Sequence, residues 1–292
     1  MFQTQSDIRR LLASSGLAPR KRFGQHFLVD RNLMQQLVDA AELDRDDVAL
    51  EVGPGTGSLT GLLAERAGLV LAVEIDEAIA AVARGATAGL PNVRWLLTDA
   101  LESKSRLSPR LLSEVLEATA GGRRLKLVAN LPYDIATPLV LNLVQGASPW
   151  SRMCFTVQRE VGDRLLAECG ESAYGLASVL VAVLADARRI ARVPRQAFWP
   201  SPRVESVMLR LDPPPPSRPR PIDPVAFGHF LRAFFQQRRK TIARIAANHA
   251  ASTAVIGAMA TMQLDGKLRP ENVSPDTWLR LFDAVAASAG RC

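Results

Sequence analysis

Five apolar runs of strand length, Val48–Val52, Leu69–Glu74, Val93–Leu97, Leu125–Ala129 and Met153–Val157, alternate with helix-compatible segments through the first two thirds of the chain. No other feature restricts the fold as much, because parallel strands joined by helical crossovers make a sheet covered on both faces. The expected class is therefore α/β. Two further runs, Arg189–Val193 and Val204–Leu211, are separated only by a proline-rich turn, and a link without a helix predicts a closing antiparallel hairpin. The stretch from Asp212 to Pro221 holds six prolines, and its stiff polyproline character marks a boundary. Beyond it, Pro224–Gln237, Lys240–Ala250 and Pro275–Ala287 carry apolar residues at helical spacing. The expected partition is a basic N-terminal segment (1–29), an α/β domain (30–211), a linker (212–222) and a small helical domain (223–292).

The 292 residues suffice for a core of ordinary size. No apolar run approaches the roughly 20 residues of a spanning helix, and the Arg-dotted start has no continuous apolar stretch of the signal-peptide kind. The expectation is a cytoplasmic protein. Cys154, Cys169 and Cys292 are far apart, and His26, His229 and His249 lack acidic partners at ligand spacing, so neither a disulfide framework nor a metal site is expected. The net charge of +7 is uneven: residues 1–29 carry +4, residues 30–186 carry −7 and residues 187–292 carry +10. Basic ends around an acidic middle fit a polyanion such as nucleic acid. An arginine-heavy genome gives the same excess, since 31 of the 36 basic residues are Arg, and charge alone leaves both readings open.

Gly53-Pro54-Gly55-Thr56-Gly57 follows the first strong strand and opens a helix (Ser58–Ala67), which places backbone close to a ligand or makes a tight turn. A dinucleotide fingerprint needs its third glycine one residue later, so the loop does not match a nicotinamide site. Glu74 ends the second strand, where a carboxylate can accept from both ribose hydroxyls, and Asp99 ends the third. Singly each is a strand-end charge; together at one sheet edge they fit a nucleoside-bearing cofactor without a pyrophosphate. Asn130-Leu131-Pro132-Tyr133 reaches the same edge after the fourth strand. Adenine N6 is a poor nucleophile because its lone pair is delocalised into the ring. The Asn130 side-chain oxygen and the Leu131 carbonyl can accept its two N–H bonds and free that lone pair, while Tyr133 stacks on the base. A strand ending in a proline turn with a buried tyrosine is the alternative. In Phe198-Trp199-Pro200-Ser201-Pro202, Phe198 is either a second face for the base or an aromatic core plug.

These residues resemble the ribosomal RNA adenine N6-dimethyltransferases, and within them the small-subunit type, from about Arg20 to Leu281. Lys21 to Leu28 is similar to the family's N-terminal cofactor-covering segment, with His26 where the family usually has Asn. Val157–Val161, Tyr174–Leu176, Phe235–Ile242 and Leu268–Ser274 are similar to further stretches, with Ala243-Arg244 in place of a common Arg-Asn and Ser201 in place of a frequent proline. The resemblance implies a Rossmann-like methyltransferase domain followed by a helical one. It implies S-adenosylmethionine held by Gln25, His26, Leu28, Gly53, Gly55, Glu74, Asp99 and Asn130, with Glu74 on the ribose and Asp99 on the adenine amine. Asn130, Leu131 and Tyr133 would hold the target adenosine, with Phe198 opposite. The implied substrate is two adjacent adenosines near the 3′ end of small-subunit rRNA, within an immature subunit that a monomeric enzyme helps to assemble. Arg20, Lys21, Arg22, Arg238, Arg239 and Lys240 fit phosphate contacts, or solvated basic faces. A large-subunit methyltransferase of the erythromycin-resistance type and a catalytically idle nucleic-acid-binding relative are the rival readings.

Overall fold

The computed structural model describes residues 2–20, 25–146 and 148–289, which form two compact units. The first comprises Met1–Leu143, Ala147–Gly162 and Ala187–Pro213. It opens with α1 (Gln5–Ser14), capped by Thr4 and Asp7 in a reciprocal capping box, and the short strand β1 (Phe27–Leu28). Then follow α2 (Arg31–Ala41), β2 (Asp47–Val52), α3 (Ser58–Ala64), β3 (Leu69–Glu74), α4 (Glu77–Ala86) and β4 (Val93–Leu97). A small hairpin, β5 (Leu101–Ser103) and β6 (Arg106–Leu107), precedes α5 (Pro109–Thr119), β7 (Arg124–Asn130), α6 (Ala136–Val144) and β8 (Trp150–Gln158). After α7 (Arg159–Leu166) and α8 (Leu176–Leu184), the strands β9 (Asp186–Val193), β10 (Phe198–Trp199) and β11 (Ser206–Asp212) complete this unit.

Seven strands form the main sheet, in the order β4-β3-β2-β7-β8-β11-β9. From β4 to β8 the neighbours are parallel, and both faces are covered, so β2 and β7 are buried along almost their whole length, with apolar stretches at Val48–Leu50 and Leu127–Ala129. The chain starts at β2, moves outward through β3 and β4, and returns to the other side of β2 as β7. The crevice at the carboxyl ends of β2 and β7 is thus a topological switch point, where open α/β sheets bind ligands. The expected terminal hairpin differs in detail. β11 inserts between β8 and β9 and runs antiparallel to β8, with Val207 opposite Val157, and β9 takes the edge. The chain between them makes β10, which pairs antiparallel with β1, Phe27 opposite Trp199 and Leu28 opposite Phe198. This two-residue pairing is too short to carry a periodicity.

The second unit holds Val144–Gly146, Asp163–Asp186 and Pro214–Cys292. Its helices are α8, α9 (Pro224–Phe235), α10 (Ile242–Ala246), α11 (Ser252–Thr261) and α12 (Pro275–Ala289). The sequence partition left 163–186 with the sheet, but α8 packs on α9 and α12. The reason lies in its composition: Leu-Ala-Ser-Val-Leu-Val-Ala-Val-Leu has no charged residue, so it is apolar all round and buried almost throughout. Asp223 caps α9 by accepting from the Val225 and Ala226 amides, and Pro224 occupies the first helical position. Phe230, Phe234, Trp278 and Phe282 interlock at centroid separations of 4.9–6.3 Å and form the aromatic heart of this unit.

Candidate active site

The glycine loop leaves β2 with Gly53 at φ +75° and Gly55 at φ +59°, conformations that side chains disfavour. Space forbids a side chain as well. A Cβ on Gly53 would lie 2.8 Å from the Pro132 ring, and one on Gly55 would lie 2.8 Å from the Phe27 ring. The glycines therefore let the loop after β2, the loop after β7 and the β1 segment approach one another. Between them lies a cavity of about 340 Å³, within the usual range for small-molecule sites. Gln25, His26, Leu28, Gly53, Gly55, Glu74, Asp99, Asn130, Leu131 and Tyr133 all line it, so ten of the residues singled out in the sequence come together.

Glu74 ends β3 and is 7% exposed. One carboxylate oxygen accepts the Ile75 and Asp76 amides at 2.9 and 3.0 Å. Burial pushes its pKa up, opposed by those amide bonds. Asp99 is exposed at the rim, and its Oδ1 accepts the Leu101 amide at 2.9 Å. Asn130 ends β7, and its Nδ2 donates to the His26 carbonyl at 2.9 Å. A carbonyl only accepts, so this bond fixes the amide's orientation and leaves Oδ1 buried without a partner among the described residues. Such an acceptor is costly unless a ligand satisfies it. Tyr133 shares a 2.9 Å hydrogen bond with the Ser206 hydroxyl on β11, which locks the ring. The His26 ring stands 5.6 Å from the Tyr133 ring, and its Nδ1 donates to the Pro200 carbonyl at 2.6 Å. Through main chain and side chain together, His26 ties the β1 segment to the clamp loop and to the proline loop.

Phe198 does not line the cavity. It is 3% exposed and belongs to the same core cluster as Leu28, Met34, Leu37 and Val193, of which Leu28 and Met34 also line the cavity. Arg20 also differs from expectation: its guanidinium donates to Asp76 at 3.0 Å, while its amide donates to Gln25 Oε1 at 2.8 Å, fastening the N-terminal segment beside Glu74. The partner stands 56 residues away, so no local signal marks the pair. Lys21 and Arg22 lie outside the described residues. Arg238, Arg239 and Lys240 are exposed in the second unit, between α9 and α10; Arg238 pairs with Glu271 at 3.5 Å and Lys240 donates to Gln237.

Sequence reasoning missed three parts of the site. The first is the N-terminal seal: the Gln3 amide donates to Ser58 Oγ, Gln3 Nε2 donates to the Thr56 carbonyl, and Thr56 Oγ1 donates to Gln3 Oε1, so the chain start is stitched to the glycine loop. Ile8 of α1 lines the cavity and buries with Leu12, Phe27 and Ile79. The second is Ser206. The third is Glu51, 1% exposed, accepting from Thr60 Oγ1 at 2.6 Å. Its position two residues before Gly53, inside an otherwise apolar strand, was the available signal.

Burial, opposed by the Thr60 bond and reinforced by Glu74, raises the Glu51 carboxyl from 4.5 to about 8. The folded protein thus holds a proton that the unfolded chain releases near 4.5. Its stabilising contribution is full below that pH and is lost progressively as pH rises from 4.5 to about 8. Thermal melting of the ligand-free protein across this window is expected to show the decline, and Glu51→Gln to flatten it; parallel wild-type and variant curves would refute the assignment.

A family model described as ribosomal RNA adenine dimethylase matches residues 16–287. The ribosomal RNA small subunit methyltransferase A of Moorella thermoacetica is 42% identical over 238 residues, covering 80% of each chain. That of Lactiplantibacillus plantarum is 34% identical over 282 residues, covering 95% of this chain and 93% of the relative. Among solved structures, a dimethyladenosine transferase from Plasmodium falciparum superposes with a TM-score of 0.72 at 21% identity, covering 90% of this chain and 98% of that one. The 23S rRNA methyltransferase ErmE gives 0.64 at 25% identity, covering 89% and 99%. These structures share the Rossmann-like methyltransferase sheet described above. The matched span takes in the glycine loop, Glu74, the clamp after β7 and the helical second unit alike, and the chain belongs to the ribosomal RNA adenine dimethylase family.

Proposed function

We propose that this protein transfers methyl groups from S-adenosylmethionine to N6 of two adjacent adenosines in a loop near the 3′ end of small-subunit (16S) rRNA, giving N6,N6-dimethyladenosine. The observation that carries the chemistry is the buried, unpartnered Asn130 Oδ1, set in the same cavity as the glycine loop and Glu74. The small-subunit choice rests on relatives 34–42% identical over most of the chain. The likeness to ErmE, a 23S enzyme by name, is one of fold and chemistry. The complete cavity lining argues against an idle relative.

When bound, S-adenosylmethionine supplies an electrophilic methyl on a sulfonium. The residues present fit it: Glu74 offers a carboxylate to the ribose, Asp99 an acceptor to the adenine amine, and Gly53 and Gly55 bring main chain close. Gln25, His26 and Leu28 roof that end. At the other end, Asn130 Oδ1 and the Leu131 carbonyl accept the two N6–H bonds and draw the nitrogen toward tetrahedral geometry, with Tyr133 stacked on the base. No strong base is needed, because the positive charge that the methyl brings would pass to N6, which is then acidic enough to give its proton to water, and catalysis is mainly proximity and acceptor placement. The same proposal has a monomeric, cytoplasmic enzyme act on an assembling subunit.

Two measurements test this reading. Glu74→Gln keeps the shape of the side chain and its amide-facing oxygen but removes the charge; affinity for S-adenosylhomocysteine is expected to fall about tenfold, the difference between a charged and a neutral acceptor. Titration calorimetry showing unchanged affinity would remove Glu74 from the site. With labelled S-adenosylmethionine, label should enter unmodified small subunits and not large ones; label only in large subunits would overturn the substrate.

A further inference from the structure

The edge strand β9 carries Arg188, Arg189 and Arg192, the turn after it Arg195 and the loop between β10 and β11 Arg203, with no acidic residue from 187 to 204. The setting sharpens the contrast, because residues 30–186 carry −7 and several arginines of the first unit are neutralised within it. Arg94 pairs with Glu114 and Glu117, Arg124 with Asp44 and Asp47, and Arg152 and Arg210 with Glu42 and Asp212. Arg188, Arg192 and Arg203 are exposed and form no ion pair among the described residues. The row also has a direction. From Val193 the chain turns through Arg195–Ala197 into β10, whose partner β1 supplies Phe27 and Leu28 to the cavity wall. Trp199 on β10 is half-buried, with the Arg9 guanidinium 5.2 Å over its ring.

We infer that the exposed arginine row of β9 and the loops that follow it binds the phosphodiester backbone of the RNA flanking the target adenosines and leads it toward the cavity mouth. This rests on the proposed RNA substrate and adds to it a surface within the sheet-bearing unit. Arg188 and Arg192, four apart along β9, stand about 13 Å apart on one face, a spacing that suits an extended polyanion better than one compact anion. Cations on an edge strand also deter edge-to-edge pairing of copies, and the test separates the two roles.

The test is a salt titration of affinity for an RNA hairpin with two adjacent loop adenosines, for wild type and for the triple variant Arg188→Gln, Arg192→Gln, Arg203→Gln. At about 50 mM salt the variant is expected to bind at least tenfold more weakly. Its slope of log K against log salt should be shallower by about 2, the counterion release of three lost phosphate contacts. S-adenosylhomocysteine affinity and melting temperature should stay at wild-type values, and the triple Lys variant should restore most of the slope. A wild-type slope in the Gln variant overturns the inference, and aggregation with that slope unchanged assigns the row to edge protection. If wild type itself shows no salt-dependent binding, the RNA-substrate reading falls and the row with it.

Discussion

Asn130→Ala is expected to slow methyl transfer by about 10²–10³-fold, the cost of removing one preorganised hydrogen-bonding group from a reacting centre. The effect should fall on the rate with bound substrate more than on binding, because the acceptor matters most as the N6 lone pair is freed. Both transfers are affected, but not identically. After the first methyl, N6 retains one N–H, so one acceptor of the Asn130–Leu131 pair is idle in the second step. Asn130→Ala also removes the Nδ2 bond to the His26 carbonyl, which holds the β1 segment against the clamp. Titration with S-adenosylhomocysteine separates the two effects: unchanged cofactor affinity with a collapsed rate assigns the loss to the acceptor. Single-turnover kinetics at wild-type rates would remove the clamp from the mechanism.

Asp47→Ala is expected to cost about 3–5 kcal/mol of stability while leaving the cavity chemistry in place, because it strips the counter-charge from a buried cation. Asp47 is fully buried at the start of β2, opposite the cavity end of that strand. Its two oxygens take Lys126 Nζ at 2.7 Å and Arg124 Nε at 2.8 Å, and Lys126 itself is 5% exposed. The two edges of the sheet thus follow opposite rules. At the amino end of β2 Asp47 meets Lys126 and Arg124 of the neighbouring β7, as folding alone requires; at the carboxyl end of β7, on the opposite edge of the sheet, Asn130 Oδ1 is left for a ligand. Denaturant unfolding measures the first, and a loss below about 1 kcal/mol would show that Lys126 finds water or another acceptor.

The parts of this protein that were legible in its sequence are those written locally. Runs five to eight residues long located all seven strands of the sheet within a few residues, and Gly53, Gly55, Glu74, Asp99 and Asn130 could be assigned to one edge because parallel strands align their carboxyl ends. What escaped depends on distant partners. The Arg20–Asp76 pair, the Gln3 stitch to Thr56 and Ser58, and the Tyr133–Ser206 bond join residues 53 to 73 positions apart. Phe198 illustrates the same limit in reverse: an aromatic between prolines can face a ligand or the core, and its burial depends on residues far away in sequence such as Leu28 and Met34. The helical unit was recognisable from 224 onward, but α8 was not assigned to it, since an uncharged helix does not announce which neighbours will bury it.

The central claim is that one acceptor pair serves the same nitrogen twice. Its most direct test is mass spectrometry of nucleosides from small-subunit rRNA after incubation with this protein and S-adenosylmethionine. The account predicts N6,N6-dimethyladenosine at two adjacent adenosines near the 3′ end, with N6-methyladenosine only as a transient. Accumulation of the monomethyl nucleoside alone, or methylation at an atom other than N6, would contradict it.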